Sequence, residues 1–469
     1  MGVGVDSASA AYSIERKGTM KVLMLGWEFP PLINGGLGIA CLGLGRAMAQ
    51  KVELSFILPK VDPSFLVDQL ELIGLNHLDD RSIDRDRVEK SLEDIANVKR
   101  IEGEVASRML PYQLEEVEQA AGRGEVCQIT AERTKKSLAG EKVIDRLKAI
   151  GLDERLAIFR EDSLYGDDVG ERVWAYAQVA ASLAEDMDFD IVHAHDWMTF
   201  VAGMEIKKRT GKPLVLHVHS LNYDRGGPDA RGWIFDIEKS AMEAADLVIP
   251  VSRYTGSICT GHYGIDSSKV HFVHNGADPV DTFRSESPFK DGLVLFLGRL
   301  TGQKGPRFFL EIAAKVLEKN PGVYFVMAGT GEKMKELIEY GAFKDVGDRL
   351  HFTGFLNKEK VNKLLSMTDV YCMPSVSEPF GLSAIEAAQY GIPAVISKQS
   401  GVAEVMTHAR HADYWDVNLM ADHINELLMD PKAREEAIQY SLEDQKNCTW
   451  EAATQRIIEL YRDQLGIQN

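Results

Sequence analysis

Apolar and polar positions alternate along the chain in two distinct rhythms. Short apolar runs rich in β-branched residues are separated by longer stretches with helical spacing of apolar positions. Fully buried parallel strands have such continuous apolar runs, and helices between them supply the crossovers. The pattern predicts an α/β protein with two doubly wound parallel sheets. The predicted strands are 21–26, 52–58, 191–195, 214–219, 247–251 and 270–274 in the first set, and 293–297, 323–328, 350–353, 370–373 and 394–397 in the second.

The two sets of strands divide the chain into two domains. Gly, Asp, Pro and Ser cluster between them, which places the boundary near residue 280. We expect an N-terminal domain at 20–280 and a C-terminal domain at 281–447. A last helix at 448–469 is expected to return to the first domain. The small and polar residues 1–19 are predicted to be a disordered extension.

One part of the first domain, about residues 60–165, departs from the alternating rhythm. It is rich in charged residues and has helical periodicity, so it predicts a helical insertion. A solvated insertion is the favoured interpretation. A lid over the site and an oligomer contact stay open as alternatives, and the sequence does not determine the oligomeric state.

Composition narrows the class of partner. The net charge is −18, from 53 basic and 71 acidic residues, which argues against nucleic acid or anionic membranes as main partners. The five cysteines are scattered without a CxxC pair, as expected in a reducing cytoplasm. No apolar run reaches transmembrane length. We therefore expect a cytoplasmic protein that acts on small molecules or on a neutral polymer.

The segment 377–386 carries the strongest chemical signal. Glu378 and Glu386 flank a Pro-Phe-Gly turn that opens a helix. The first backbone N–H groups of a helix lack internal partners and suit a phosphate. A carboxylate beside that phosphate would repel it, so Glu378 is expected to face neutral hydroxyls. A phosphate cradle bordered by two hydroxyl-binding carboxylates fits a sugar nucleotide.

Two loops after first strands add to this signal. Arg299 and Lys304 follow the first strand of the second domain, and both are suited to phosphate oxygens. Their place at a strand's C-terminal end, where doubly wound sheets bind ligands, favours a site over a solvated basic loop. In the first domain, Gly35 and Gly36 precede a helix and permit close backbone approach, although a plain tight turn is equally compatible.

Four histidines end two neighbouring predicted strands of the first domain. Alternation places His193 with His195 on one face, and His217 with His219 on the next strand. The cluster could bind zinc or another transition metal. The favoured alternative is that some are packed core histidines, with one or two touching substrate, because no further motif supplies an acidic ligand at matching spacing.

Together these residues resemble a retaining glycosyltransferase of the GT-B fold, in the family 4 group with bacterial and archaeal glycogen and starch synthase relatives. The resemblance covers about residues 20–58 and 165–465. Ile33 stands where the synthases have a lysine before the glycine loop, which removes one expected phosphate contact. The motifs that carry the resemblance are Glu378–Glu386, Gly298–Gly305, Asn275–Asp278, Ala328–Gly331, His193–Trp197 and Asn34–Gly38.

The resemblance implies two Rossmann-like domains that face a central cleft, and a role for each site residue. Arg299 and Lys304 would grip the donor diphosphate and stabilise the leaving group in place of a metal ion. Glu378 would hold sugar hydroxyls, Glu386 would accept from the ribose, and His195 would lie beside the transferring sugar. The other implied donor-binding residues are Gly35, Gly36, Asn275, Gly329, Phe380, Gly381 and Leu382, while Glu28, His219 and Tyr223 lie where the first domain would meet an acceptor.

The implied reaction is transfer of a hexose, glucose first, from a UDP- or ADP-sugar to a carbohydrate hydroxyl without a metal cofactor. An α-glucan is the first choice of acceptor, and a small sugar, lipid-linked or cell-envelope glycan is the second. Three other functions stay open at this stage. They are a metallohydrolase built on the two His-x-His strands, a sugar-nucleotide-binding regulator, and a sugar-nucleotide epimerase.

Overall fold

A computed structural model shows two six-stranded parallel sheets within the described residues. This confirms the predicted fold class, an α/β protein with two doubly wound domains. Most of the predicted insertion and nearly all of the predicted N-terminal extension lie outside the described residues. The structure describes residues 19–32, 35–78, 156–160, 164–166 and 168–467.

The N-terminal sheet has the strand order β3-β2-β1-β4-β5-β6, and every neighbouring pair is parallel. The direction of winding reverses between β1 and β4, so helices cover both faces and a crevice opens at the carboxyl ends of these two strands. The strands are β1 Lys21–Leu25, β2 Glu53–Leu58, β3 Leu70–Gly74, β4 Ile191–His195, β5 Leu214–Val218 and β6 Leu247–Pro250.

The C-terminal sheet repeats that topology. Its order is β12-β11-β10-β7-β8-β9, which is the same winding with the reversal between β7 and β10. Its central strands are buried along most of their length, as their apolar runs predict. The strands are β7 Leu293–Leu297, β8 Tyr324–Ala328, β9 Leu350–Gly354, β10 Val370–Met373, β11 Ala394–Ser397 and β12 Arg410–Ala412.

Three strand assignments need correction, and one of them is β12, a three-residue edge strand that was not predicted. β3 lies inside the segment predicted as a helical insertion, and it pairs with β2 in parallel. It is a short edge strand with an exposed Glu71 at its second position, so it has no continuous apolar run to reveal it. The predicted strand at 270–274 is not a regular strand, although its first residues run beside β6. Val270 bridges Val248 in parallel, and the N–H groups of His271 and Val273 donate to the carbonyls of Val248 and Pro250, both at 2.9 Å.

The last helix of the chain, Trp450–Leu465, packs against the first domain. Trp450, Ile457 and Tyr461 share an apolar cluster with the helix at 36–49 and with β1. A Cβ at Gly43 would lie 2.2 Å from the Trp450 indole, so the glycine permits this close helix contact. The chain therefore crosses between the domains twice.

Thirteen α-helices complete the described part of the chain. Among those residues, no helix is both long enough and apolar enough to cross a membrane. The helices are α1 Gly36–Ala49, α2 Val169–Ala184, α3 Trp197–Thr210, α4 Asn222–Gly226, α5 Trp233–Ala244, α6 Arg253–Gly261, α7 Pro306–Lys319, α8 Met334–Phe343, α9 Lys358–Met367, α10 Leu382–Gln389, α11 Val417–Met429, α12 Pro431–Asp444 and α13 Trp450–Leu465.

The start of α6 joins the two domains. The Ser252 hydroxyl donates to the carbonyl oxygen of Pro379 at 2.6 Å. From the second domain, the Glu404 carboxylate accepts the backbone N–H groups of Arg253 and Tyr254 at 2.9 and 2.7 Å. A carboxylate at a helix N-terminus meets unpaired N–H groups and the positive end of the helix dipole. These bonds bring the carboxyl ends of both sheets to face one another.

Candidate active site

The loops after β7 and β8 interlock at the centre of the C-terminal sheet edge. The backbone N–H of Leu300 donates to Thr330 at 2.8 Å, and Gly298 donates to Ala328 at 2.9 Å. Gly329 has a φ of 142°, and a Cβ there would lie 2.0 Å from the Gly298 carbonyl oxygen. Only glycine fits this contact, which fixes the backbone on either side of Arg299.

Lys304 and Glu378 form an ion pair in this region. The Lys304 Nζ donates to Glu378 Oε2 at 2.5 Å, and the Glu378 side chain is only 6% exposed. The two segments are also tied through the backbone, because Val376 N–H donates to the Gln303 carbonyl at 2.9 Å. The sequence predicted both residues for one site but not this contact. A cation suited to phosphate thus lies beside a carboxylate suited to hydroxyls.

The turn after Glu378 leads directly into α10. Its backbone is held from both sides, since Glu378 N–H donates to Gln399 and Val402 N–H donates to Phe380 at 2.9 and 2.7 Å. Gly381 precedes Leu382 with a φ of 110°, a conformation that favours glycine. The segment therefore has the predicted arrangement of a rigid turn and a helix N-terminus behind the Lys304–Glu378 pair.

Glu386 lies on α10, one turn beyond Leu382. Burial raises the pKa of the Glu386 carboxyl, and the positive charge of Lys358 at the start of α9 opposes this rise. A poorly hydrated carboxylate gains from hydroxyl donors that replace water. This environment is compatible with the predicted ribose contact.

The facing edge of the N-terminal sheet carries the four histidines as a stack of rings. His193 stacks on His195 with ring centroids 4.7 Å apart, and His217 stacks on His219 at 4.4 Å. The two pairs join through His195 and His217 at 5.1 Å, because β4 and β5 are neighbours in register. Burial lowers the pKa of all four, and that of His219 to about 3. The stack is therefore neutral at physiological pH.

Ring orientation in this stack is unsuited to a single metal ion. Ligand nitrogens of His193, His195 and His217 lie within 4.8 Å of one another. The lone pair of an imidazole lies in its ring plane, so the planes of rings that share an ion must meet at that ion. Here the planes of His193 and His195 differ by 6°, and those of His195 and His217 by 21°. The geometry favours the interpretation of packed core histidines.

Hydrogen bonds hold the stack at two points. His195 Nδ1 pairs with His219 Nε2 at 2.9 Å, and His193 Nδ1 pairs with the hydroxyl of Tyr461 from the last helix. His195 has no exposed surface in this arrangement. The predicted contact between His195 and a transferring sugar therefore requires the groups that cover the ring to move.

Asp196 belongs to the motif His193–Trp197, but no role was predicted for it. Its φ is 59°, unusual for a residue other than glycine, and it immediately precedes α3. Its carboxylate accepts the backbone N–H groups of His219 and Ser220 at 2.7 and 3.1 Å. Burial raises the pKa of Asp196 to about 7. The position directly after His195 at a strand's C-terminal end was the signal that could have identified it.

Glu28 braces the glycine loop of the first domain. It accepts the backbone N–H of Gly38 at 3.3 Å and the hydroxyl of Tyr165. A Cβ at Gly35 would lie 2.2 Å from Glu28 Oε2. Burial raises the pKa of Glu28, whereas the positive charge of Arg299 opposes this rise from the second domain. The structure thus brings Glu28, Gly35 and Arg299 to the same region of the interface.

The remaining predicted residues have mainly packing contacts. Tyr223 is half-buried and meets His262 edge to face at 4.9 Å. Phe380 is buried against His274, with ring centroids 5.9 Å apart. Asn275 is buried where the chain passes between the domains. Their predicted roles stay predictions.

Two interface residues carried no signal in the sequence. Asp224 and Tyr254 of the first domain both contact the Ser377 hydroxyl of the second, at 2.5 and 2.9 Å. They are more than 120 positions from Ser377 in the chain, and no spacing pattern relates them.

Comparison with known proteins defines the class. A family model described as Glycosyltransferase Family 4 matches residues 120–281, and one described as Glycosyl transferases group 1 matches residues 279–444. The catalytic domain of starch synthase IV from Arabidopsis thaliana, bound to ADP and acarbose, has the same fold with a TM-score of 0.62. The likeness spans 96% of this chain and 100% of that one at 16% identity. The chain is a glycosyltransferase with the GT-B fold.

Two curated relatives indicate which group of glycosyltransferases the chain resembles. An uncharacterized glycosyltransferase of Methanocaldococcus jannaschii is 31% identical over 237 residues, which are 47% of this chain and 60% of that protein. The alpha-maltose-1-phosphate synthase of Mycolicibacterium smegmatis is 29% identical over 315 residues, 58% of this chain and 78% of that protein. Within the GT-B glycosyltransferases, the chain resembles the relatives of glycogen synthase, as its motifs predicted.

Proposed function

We propose that this protein transfers a hexose, with glucose as first choice, from a UDP- or ADP-sugar to a carbohydrate hydroxyl with retention of configuration. The observation that carries the proposal is the Lys304–Glu378 ion pair at the turn before α10. This pair places a cation that can bind phosphate beside a carboxylate that can bind sugar hydroxyls. The ADP bound to the related starch synthase supports a nucleotide donor.

In this proposal, Arg299 and Lys304 bind the donor diphosphate and stabilise the charge that develops on the leaving nucleoside diphosphate. Removing one such preorganised donor costs about 3 kcal/mol in other enzymes. These two cations take the place of a metal ion. Glu378 holds hydroxyls of the transferred sugar, and Glu386 accepts from the ribose. The leaving phosphate takes the acceptor proton on the same face of the sugar.

We propose an α-glucan as the acceptor, and a small sugar, lipid-linked or cell-envelope glycan as the alternative. The glucan is favoured because the relatives include a starch synthase and an alpha-maltose-1-phosphate synthase. From the first domain, the glycine loop at Gly35 would approach the donor, and Glu28 would meet the acceptor. The cytoplasmic location stays a prediction that rests on the cysteine pattern.

The test is transfer of radiolabelled glucose from UDP- and ADP-glucose to glycogen and to short maltosaccharides. Lys304→Ala and Glu378→Gln should each lower the rate at least about 100-fold, because each removes a group that binds the transition state. Lys333 and Glu336 form an exposed ion pair at 2.8 Å in the same domain. Lys333→Ala and Glu336→Gln are therefore matched controls and should leave the rate unchanged.

Near-normal transfer in both Lys304→Ala and Glu378→Gln would overturn the proposed roles. Release of altered sugar nucleotide without an acceptor would instead indicate an epimerase. Tight binding of nucleoside diphosphate without any turnover, across the acceptor panel, would indicate a regulator.

A further inference from the structure

We propose that Asp224 and Tyr254 are positioning residues for transfer. Through Ser377, they hold the neighbouring Glu378 from the opposite domain. This inference rests on the proposed function, in which Glu378 grips the donor sugar. It assigns a role to an interdomain hydrogen-bond chain that the motifs did not predict.

The chain of hydrogen bonds has a single direction. The Ser377 hydroxyl lies 2.5 Å from Asp224 Oδ1 and 2.9 Å from the Tyr254 hydroxyl. An ionised carboxylate only accepts, and a serine hydroxyl has only one proton to donate. Ser377 therefore donates to Asp224, and Tyr254 must donate to Ser377. Hydrogen bonds that are aligned in this way polarise and strengthen one another.

Water has little access to the bond between Ser377 and Asp224. Ser377 is 4% exposed and Asp224 is 3% exposed. The second carboxylate oxygen of Asp224 is occupied as well, since it accepts the backbone N–H of Leu221 at 2.7 Å. Loss of one partner would leave a buried polar group unsatisfied, which is more costly than loss of a surface hydrogen bond.

The hydrogen-bond chain reaches the backbone segment that carries Glu378 of the Lys304–Glu378 ion pair. Ser377 precedes Glu378, and the N–H groups of Val376 and Ser377 both point to the Gln303 carbonyl, at 2.9 and 3.4 Å. Gln303 is in turn the neighbour of Lys304, and α4 packs against the segment 302–304. A shift at Ser377 would therefore move Glu378 relative to Lys304.

This arrangement couples domain closure to the grip on the sugar. Asp224 and Tyr254 belong to α4 and α6 of the first domain, whereas Ser377 belongs to the second. Their contacts form only while the domains are in contact. Glu378 thus gains this additional support only when the acceptor side of the cleft is present, which aligns the reacting groups before chemistry.

The experiment compares Tyr254→Phe, Ser377→Ala and the double variant in steady-state transfer. We expect each single variant to lower kcat about 3- to 10-fold, the usual effect of one lost hydrogen bond, with donor KM changed less than about twofold. The double variant should be no slower than Ser377→Ala, because both changes break the same chain. Ser377→Thr, which keeps the hydroxyl, should restore part of the lost kcat.

Tyr340→Phe is the matched control. Like Tyr254, Tyr340 donates a hydrogen bond through its hydroxyl, but its acceptor is the Glu311 carboxylate at 2.8 Å, within the second domain. It should leave kcat unchanged. If these residues only stabilise the fold, the Tyr254 and Ser377 variants will have a lower melting temperature, but kcat of the folded protein will stay at the wild-type value. That result would overturn the inference.

A second measurement does not depend on activity. Amide hydrogen exchange in a peptide that covers residues 374–381 should be faster in Tyr254→Phe and Ser377→Ala than in wild type and Tyr340→Phe. Unchanged exchange would overturn the inference even if transfer is observed. Faster exchange in a protein that transfers no sugar would support the interdomain hydrogen-bond chain and would reject the proposed function instead.

Discussion

The two sheets have the same strand order, yet their facing edges carry opposite chemistry. In the second domain, Lys304 and Glu378 are a charged pair beside a helix N-terminus. In the first domain, the corresponding edge carries four stacked and neutral imidazoles. The winding of the sheet decides where a site can form, because both crevices lie at the reversal of strand order. The residues after each strand decide what that site can bind.

The side chains at the two sheet edges also differ in their exposure to solvent. The Lys304 side chain is 23% exposed, so it can turn to a ligand. The His217 side chain is buried, and its pKa is held well below the ordinary value of 6.5 by burial. We therefore interpret the second domain as the donor side and the histidine stack as part of the structural core of the first.

The largest expected effect on stability is at Gly329, in the interlocked loops of the second domain. Gly329→Ala would force a Cβ to within 2.0 Å of the Gly298 carbonyl oxygen at a φ of 142°. We expect the free energy of unfolding to fall by about 3 kcal/mol or more in urea denaturation.

Gly302→Ala is the control for Gly329→Ala, because a Cβ at Gly302 would meet nothing within 4 Å. It should change the free energy of unfolding by less than about 0.5 kcal/mol. Equal stability of the two variants would mean that the loops of the second domain are not held as rigidly as described.

A smaller effect concerns the acid sensitivity of the first domain. The pKa of His217 is lowered in the folded protein, so below about pH 6.5 the unfolded chain binds a proton that the folded one does not. This group's contribution to stability is lost as the pH falls. Between about pH 7 and 5 the loss is at most about 2 kcal/mol for one histidine that stays neutral in the folded protein.

His217→Gln should therefore reduce the loss of unfolding free energy between pH 7 and 5 by at most about 2 kcal/mol. Burial raises the pKa of Asp196 and Glu238 to about 7. As the pH falls from 7 to 5, these carboxyls bind protons in the folded protein, so their effect on the free energy of unfolding is opposite to that of the histidine. Asp196 and Glu238 are present in both proteins, so their contributions cancel when the variant is compared with wild type. His408→Gln, at an exposed ring, is the control. The same pH dependence in His217→Gln and wild type would contradict a neutral stack.

The smallest expected effect concerns the glycine loop of the first domain. Gly35→Ala would place a Cβ 2.2 Å from Glu28 Oε2, so the carboxylate must leave Tyr165 or Gly38. We expect a cost of about 1–2 kcal/mol in unfolding free energy. Gly36→Ala meets nothing within 4 Å and should be near neutral. A neutral Gly35→Ala would show that Glu28 does not brace the loop.

The sequence predicted most of the fold because the central strands are fully buried and have continuous apolar runs. It missed β3 and β12, which are short edge strands with polar or charged residues. Edge strands are buried on fewer sides, so their composition resembles that of a loop.

The site was predicted where one short segment contains the chemistry. The turn at Glu378 and the loop at Lys304 follow strands directly and include glycines with positive φ. The contacts between Ser377, Asp224 and Tyr254 could not be predicted, because they depend on how two domains meet. The stacking of the histidine rings depends on side-chain packing and was likewise not predicted.

We expect the charged edge of the second domain, and not the histidine edge of the first, to bind the donor nucleotide. Titration calorimetry with UDP and ADP tests this expectation most directly. Lys304→Ala should weaken the binding of the preferred nucleotide at least about tenfold, as expected for loss of a charge-assisted contact. His217→Gln should leave that affinity within about twofold of wild type. Unchanged binding in Lys304→Ala, together with loss of binding in His217→Gln, would contradict the account.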